Sequence, residues 1–272
     1  MSAAALPLII EPQAFHEFMQ QAQSCDLLII DLCSEQSYAA AHIPGAVFVA
    51  PKALSCGQPP APGRLPDQAH LDALFSSLGL TPETHVVVYD DEGGGWAGRM
   101  IWTLDVIGHT RYSYINGGLP AWKTAGLPLQ TASCQRQPVP QQVIIHRQPI
   151  AEIDDILPNL NSANFVVWDA RGPLEYSGEK VLAAKGGHIP GAINAEWTSL
   201  MDPARDLRIR TDAREYLAAL GIDGSKKIVT HCQSHHRSAF TYLVGKMLGF
   251  DIKGYHGSWS EWGNHPDTPV EK

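Results

Sequence analysis

No apolar run in this chain is long enough to cross a membrane. The longest, such as Leu27-Leu28-Ile29-Ile30 and Val86-Val87-Val88, have the length of a strand. No Lys or Arg precedes the short apolar stretch near the N-terminus, which argues against a secretory signal and makes the cytoplasm the expected location. Cys-x-x-Cys does not occur, and five cysteines (25, 33, 56, 134 and 232) in 272 residues are too few and of the wrong parity for a disulfide framework. Structural zinc is disfavoured on the same ground, and at least one thiol is expected to be free. Basic residues are outnumbered, 20 Lys and Arg against 28 Asp and Glu, so a general basic surface for nucleic acid is missing. Gly (24) and Pro (20) are too scarce for a fibrous or disordered chain. What remains is a folded protein, 44% hydrophobic and 18% charged, whose length suits two domains.

The chain repeats itself. Asp26-Leu-Leu-Ile-Ile-Asp31 followed by His42-Ile43-Pro44-Gly45-Ala46 returns as Asn164-Phe-Val-Val-Trp-Asp169 followed by His188-Ile189-Pro190-Gly191-Ala192. His85-Val-Val-Val-Tyr-Asp90 pairs with Lys226-Lys-Ile-Val-Thr-His231, and Asn116-Gly-Gly-Leu-Pro-Ala-Trp122 with His256-Gly-Ser-Trp-Ser-Glu-Trp262. A gapless alignment that places Asp91 against Cys232 also sets Gly108 against Gly249. Markers in the same order at this long period indicate a duplicated domain rather than a solenoid. The Pro- and Gln-rich stretch near residues 127–146 reads as the junction. The boundaries expected are an N-terminal domain over 1–130, a linker over 131–147 and a C-terminal domain over 148–272. Short β-branched runs alternate with helical segments, including 210–220 stopped by Gly221 and 238–248 stopped by Gly249. That alternation predicts an α/β fold with a mainly parallel sheet flanked by helices in each half. Ligands of such sheets bind beyond the C-terminal strand ends, where Cys232 falls.

The loop His231-Cys232-Gln233-Ser234-His235-His236-Arg237-Ser238 leaves a strand and opens a helix. The unpaired amides and the dipole at a helix start favour a negative charge there, and a thiolate so placed has a lowered pKa. Between Gly224 and Phe250 there is no Asp or Glu, while Lys226, Lys227, Arg237 and Lys246 are present. A chain of net −8 has thus kept one cysteine in a locally positive stretch, the pattern of a reactive thiolate meeting an anionic substrate. His231, Cys232, His235 and His236 could in number ligate a metal, but neighbours on a strand end diverge. No metal and no organic cofactor are expected. The first-half counterpart, Asp91-Glu92-Gly93-Gly94-Gly95-Trp96-Ala97-Gly98-Arg99, fits Gly-x-Gly-x-x-Gly. It does not follow the first strand of its domain, it carries two acids where a pyrophosphate would approach, and no acid lies about 20 residues on. It reads as a duplicate loop without its nucleophile.

With these segments the chain resembles the rhodanese family, in its tandem-domain thiosulfate sulfurtransferase branch. The resemblance covers essentially the whole chain. It rests on both His-Ile-Pro-Gly-Ala segments, on Trp168-Asp169-Ala170-Arg171, on the Cys232–Arg237 loop and on Gly257-Ser258-Trp259-Ser260-Glu261-Trp262. It implies two tandem rhodanese-like domains, the N-terminal one catalytically inactive. It implies that Cys232 is the nucleophile carrying a persulfide and that Arg237 holds the anionic donor. Arg171 would line the pocket, oriented by Asp169. Gln233, Ser234, His235 and His236 would complete the substrate-binding loop, the two histidines without a defined role. The partners implied are small molecules, thiosulfate as donor and cyanide or a thiol as acceptor; a monomer is the simplest state. His42 and His188 read as turn braces, and Trp259 and Trp262 as packing residues.

Cys-x4-Arg matches the sulfur-transferring members, whereas the phosphatase and arsenate-reductase relatives use Cys-x5-Arg. The loop Cys-Gln-Ser-His-His-Arg differs from both the Cys-Arg-Lys-Gly-Val-Thr and the Cys-Gly-Ser-Gly-Val-Thr types. Mercaptopyruvate sulfurtransferases also use an Asp and a His from the first half, and neither is evident in Val47-Phe-Val-Ala-Pro-Lys52 or Pro62-Gly-Arg-Leu-Pro66. Mercaptopyruvate transfer and persulfide carriage to a protein partner stand as the alternatives.

Overall fold

The computed structural model describes residues 6–21 and 26–272. Cys25 lies outside the described residues. The chain forms two compact units. One comprises the residues up to Leu54, Pro66–Ile145 and Asp202–Ile209; the other comprises Ser55–Leu65, His146–Met201 and Arg210–Lys272. Each half of the sequence therefore gives one short segment to the unit built mainly from the other half.

The first unit is built from β1 (Ile9–Ile10), α1 (Pro12–Gln21), β2 (Leu27–Asp31), α2 (Glu35–Ala40), β3 (Val47–Phe48), α3 (Gln68–Ser77), β4 (His85–Tyr89), α4 (Gly95–Val106), β5 (Tyr112–Ile115) and α5 (Gly118–Thr124). Its sheet order is β1-β5-β4-β2-β3, and every pairing is parallel. The second unit contains β6 (Ile150–Ala151), α6 (Ile153–Ile156), β7 (Phe165–Asp169), α7 (Pro173–Tyr176) and β8 (Ile193–Asn194). A short two-stranded piece follows, β9 (Met201–Asp202) and β10 (Arg208–Ile209). Then come α8 (Ala213–Ala219), β11 (Lys227–His231), α9 (Arg237–Met247), β12 (Ile252–Tyr255) and α10 (Ser258–Trp262). Its sheet order, β6-β12-β11-β7-β8, is again wholly parallel and repeats the first. The two α/β units with parallel sheets are those that the repeat predicts. The central strands are near-continuous apolar runs because both faces of such a sheet are covered.

The repeated motifs are braces. His42 donates from Nδ1 to the Tyr38 carbonyl (2.8 Å) and stacks on Tyr38, whose hydroxyl donates to the Ala46 carbonyl. His188 does the same with Tyr176 (3.0 Å), whose hydroxyl donates to Ala192. Each histidine thus pins its own Ile-Pro-Gly-Ala turn, where Gly45 and Gly191 adopt positive φ. Trp122 and Trp262 lie in the cores of their units, and their indole N–H groups donate to the Pro128 and Pro269 carbonyls. Residues 131–145 form no helix or strand yet are anchored along the first unit, through Val139 to Ser76, Val143 to Asp72 and Arg136 to Asp26. The four cysteines among the described residues are free thiols, and no described helix is long and apolar enough to cross a membrane.

Candidate active site

The loop after β11 is where the sequence places the chemistry. Cys232 follows the strand directly and is buried, 1% exposed. Its carbonyl accepts the Trp259 amide and the next one, of Gln233, accepts the Ser260 amide, so α10 fixes the loop from behind. His235 takes φ +53°, a left-handed residue that reverses the loop so that α9 begins at Arg237. The amides of Ser234 and Ser238 and the Ser238 hydroxyl then face the Cys232 sulfur. Burial alone would raise this thiol. The Arg237 charge, then the Ser238 hydroxyl and the two amides, outweigh it, and the pKa is lowered.

Arg237 touches more than sulfur. Its two terminal nitrogens both donate to Glu175 on α7 (2.7 and 2.9 Å), and it also hydrogen-bonds Cys232. The acid-free stretch of sequence is therefore not acid-free in space, because Glu175 comes from 62 residues away. Burial works against the Glu175 charge, but Arg237 more than compensates and holds the carboxyl below its usual range. This fork-to-carboxylate pair fixes the guanidinium plane beside the thiolate.

The other expected residues disperse. Arg171 is buried, donates to Asp169 and to the Gly187 carbonyl (2.8 Å), and stacks 4.2 Å over Trp259. Asp169 orients it as expected, but these contacts make it a buried brace of the strand end. Gln233 points its amide at the Leu182 carbonyl (3.1 Å), outward from the sulfur. Ser234 contributes its backbone. His235, which the sequence leaves without a defined role, is buried, and its Nδ1 meets the Ser238 hydroxyl at 2.8 Å. It thereby holds the group that faces the sulfur. His236 lies against Trp197, with ring centroids 5.6 Å apart. His231 is buried with Nε2 3.5 Å from Asp169, and burial keeps it neutral-leaning, its pKa lowered despite that carboxylate. The histidines thus go to different places, and among the described residues no group of three or more His, Cys, Asp or Glu could hold a metal. Glu175 and Ser238 escaped the reading of the sequence. Ser238 was adjacent to the loop and legible as a helix-start donor; nothing in the sequence linked Glu175 to Arg237.

The first unit holds the same loop in another state, and the gapless alignment misplaced it by one residue. Asp31 pairs with Tyr89 in the sheet as Asp169 pairs with His231, so Asp90, not Asp91, stands where Cys232 stands. The Asp90 carbonyl accepts the Leu119 amide as that of Cys232 accepts Trp259. The extra residue lies farther on, in α4, which has 12 residues against 11 in α9. Asp90 is buried, and its carboxyl accepts the amides of Gly94 (2.8 Å), Ala97 (3.0 Å) and Glu92 (3.3 Å). The amides a dinucleotide would use are occupied by a tethered side chain.

Comparison with known proteins agrees with this geometry. The family model "Rhodanese-like domain" matches twice, over residues 14–125 and 152–265. The chain is 56% identical over 269 residues to a thiosulfate sulfurtransferase of Azotobacter vinelandii, covering 98% of both chains. It is 57% identical over 267 residues to a thiosulfate sulfurtransferase of Pseudomonas aeruginosa, covering 98% of this chain and 97% of that one. Among solved structures, the anaerobic ergothioneine biosynthesis enzyme of Chlorobium limicola superimposes with a TM-score of 0.87 over 97% of this chain and 70% of that chain, at 20% identity, a likeness of fold.

Proposed function

The chain belongs to the rhodanese family, and from that premise we propose that it is a thiosulfate sulfurtransferase working by double displacement through Cys232. The observation that carries the reading is the Cys232 sulfur, lowered in pKa, facing two amides, a hydroxyl and the Arg237 guanidinium. The names of the two relatives that match nearly end to end support it. The Cys232 thiolate attacks the outer sulfur of thiosulfate. A sulfur–sulfur bond forms as the one in thiosulfate breaks, and sulfite leaves with the bonding pair. The Cys232 persulfide keeps its negative charge in the same cradle of donors, which also stabilises the anionic sulfurs during transfer. Cyanide or a thiol then attacks the outer sulfur, and the Cys232 thiolate is regenerated. No external oxidant, reductant or cofactor enters the balance.

Arg237 sets the thiolate and meets the anionic donor, with Glu175 fixing its plane. Arg171, paired with Asp169 and stacked on Trp259, braces the strand end beside the loop. Ser234 contributes an amide, His235 positions Ser238, and Gln233 and His236 form the loop's outer side. In this reading the protein acts in the cytoplasm as a monomer on small molecules, and the first unit, with Asp90 at the nucleophile position, is catalytically silent.

The test is intact mass after brief exposure to thiosulfate, for the parent and for Cys232→Ser, followed by cyanide. The expected outcome is one sulfur atom gained by the parent alone and lost again as thiocyanate. A parent that gains nothing from thiosulfate but gains sulfur from mercaptopyruvate overturns the donor assignment. A parent that gains sulfur and retains it after cyanide overturns the enzyme reading in favour of a sulfur carrier.

A further inference from the structure

The second unit contains a segment of the first half of the sequence, Ser55–Leu65, and the first unit contains its counterpart, Asp202–Ile209. Part of what the two segments do is the same. Arg64 pairs with Glu152 (2.8 Å), and Arg208 pairs with Glu11 (2.9 Å). The Leu65 amide donates to His256 Nδ1 and the Ile209 amide to Asn116 Oδ1, each at 2.9 Å. These shared contacts occur in both units, with and without a cysteine in the loop, so they belong to the architecture.

Two further contacts bear on the nucleophile loop. First, Arg64 also pairs with Glu261 on α10, and Glu261 in turn accepts the Tyr255 hydroxyl (2.8 Å). The corresponding residue of α5 is Ala121, so the first unit has no such anchor. α10 is the helix whose Trp259 and Ser260 amides hold the Cys232 and Gln233 carbonyls. Second, Gly63 lies directly on the nucleophile loop. A Cβ added there would stand 2.8 Å from the Ser234 Cα and nearer still to its carbonyl, closer than real Cβ contacts come. Ser234 is one of the two residues whose amides face the sulfur.

We propose that the segment around Gly63 and Arg64 positions the nucleophile loop: Gly63 lets the segment close onto the Ser234 Cα and carbonyl and so fixes where Ser234 sits, and the Arg64–Glu261 pair locks the helix that holds the loop's carbonyls. Neither residue touches the reacting atoms. Both are positioning residues, and they give the first half of the sequence a part in the chemistry that its own loop cannot perform. The inference rests on Cys232 being the nucleophile.

The test is the pH dependence of Cys232 alkylation by iodoacetamide, read at that cysteine by peptide mass mapping, in the parent, Glu261→Ala, Gly63→Ala and Arg208→Gln. Removing the Glu261 charge would by Coulomb's law alone lower the midpoint. A rise can come only through lost geometry. The expected result is a midpoint raised by about one pH unit in Glu261→Ala and Gly63→Ala, roughly a tenfold loss of thiolate well below the midpoint. The rate of sulfur uptake from thiosulfate falls with it while KM changes by less than about twofold. Arg208→Gln, in the unit whose loop carries Asp90 instead of a cysteine, leaves both unchanged. A folded Glu261→Ala with an unchanged or lowered midpoint overturns the proposal, even if Gly63→Ala fails to fold. A parent whose Cys232 titrates as an ordinary thiol overturns the functional reading, and this proposal with it.

Discussion

Two loops of one chain, each between a strand and a helix, hold an anionic group at the same position and treat it in opposite ways. Asp90 has three amides on its carboxyl, yet full burial, followed by the nearby Glu92 charge, raises its pKa to about 6. Cys232 is as deeply buried and is lowered. The difference stands at the first helical residue, Gly95 in one loop and Arg237 in the other. Backbone donors and a helix dipole make a receptive cradle, worth about 0.3–1 kcal/mol per charge at exposed termini. That does not offset the removal of a charge from water, which costs several kcal/mol. A full positive charge, aimed by a bidentate carboxylate, reverses the balance. The duplication thus separates two ingredients of a reactive thiolate: the loop, which both halves have, and the guanidinium, which only one has.

The largest effect should come from deleting that guanidinium. Arg237→Gln leaves the amides in place and should raise Cys232 above the ordinary thiol range, with persulfide formation from thiosulfate down about 10²–10³-fold, the scale of losing a transition-state donor. A stopped-flow assay of sulfite release reads it, and a loss under tenfold would make the two loops equivalent. Next comes the Asp90 carboxyl. Its folded-state pKa lies above the unfolded value, so its contribution to stability is intact below about pH 4 and is lost as pH rises through about 6. The cost on ionisation is of the order of 3 kcal/mol. Urea unfolding of the first unit should show this fall between pH 4 and 6 in the parent, and Asp90→Asn should flatten it.

Glu175→Gln tests the aim rather than the charge of Arg237. It removes a buried carboxylate whose partner is partly exposed, and should cost about tenfold in kcat and about 1–3 kcal/mol in stability, the range for a charge-assisted pair. An unchanged kcat would show that Arg237 needs no holder. The smallest effect should be Glu11→Gln, at the Arg208 pair of the first unit. With Glu11 about half exposed, the pair contributes about 0.5 kcal/mol or less, and sulfur transfer should not change. Thermal unfolding beside a thiocyanate assay checks both.

The duplication, both parallel sheets, the turn histidines and the Cys232–Arg237 loop were legible in the order of residues. Their causes are local or periodic. Apolar β-branched runs make buried strands, Gly249 at φ +78° ends a helix, and a cysteine between strand and helix meets unpaired amides. The one-residue error over Asp90 has a local cause as well. The repeat was aligned without a gap, whereas the extra residue sits inside α4 and only the sheet register exposes it. Glu175 on Arg237, Trp259 under Arg171, and Gly63 and Arg64 beside the nucleophile loop were decided by the tertiary structure alone. Each joins residues far apart in sequence, and what selects them is the low dielectric of the site. A charge buried there must find its counter-charge wherever the fold brings one within reach.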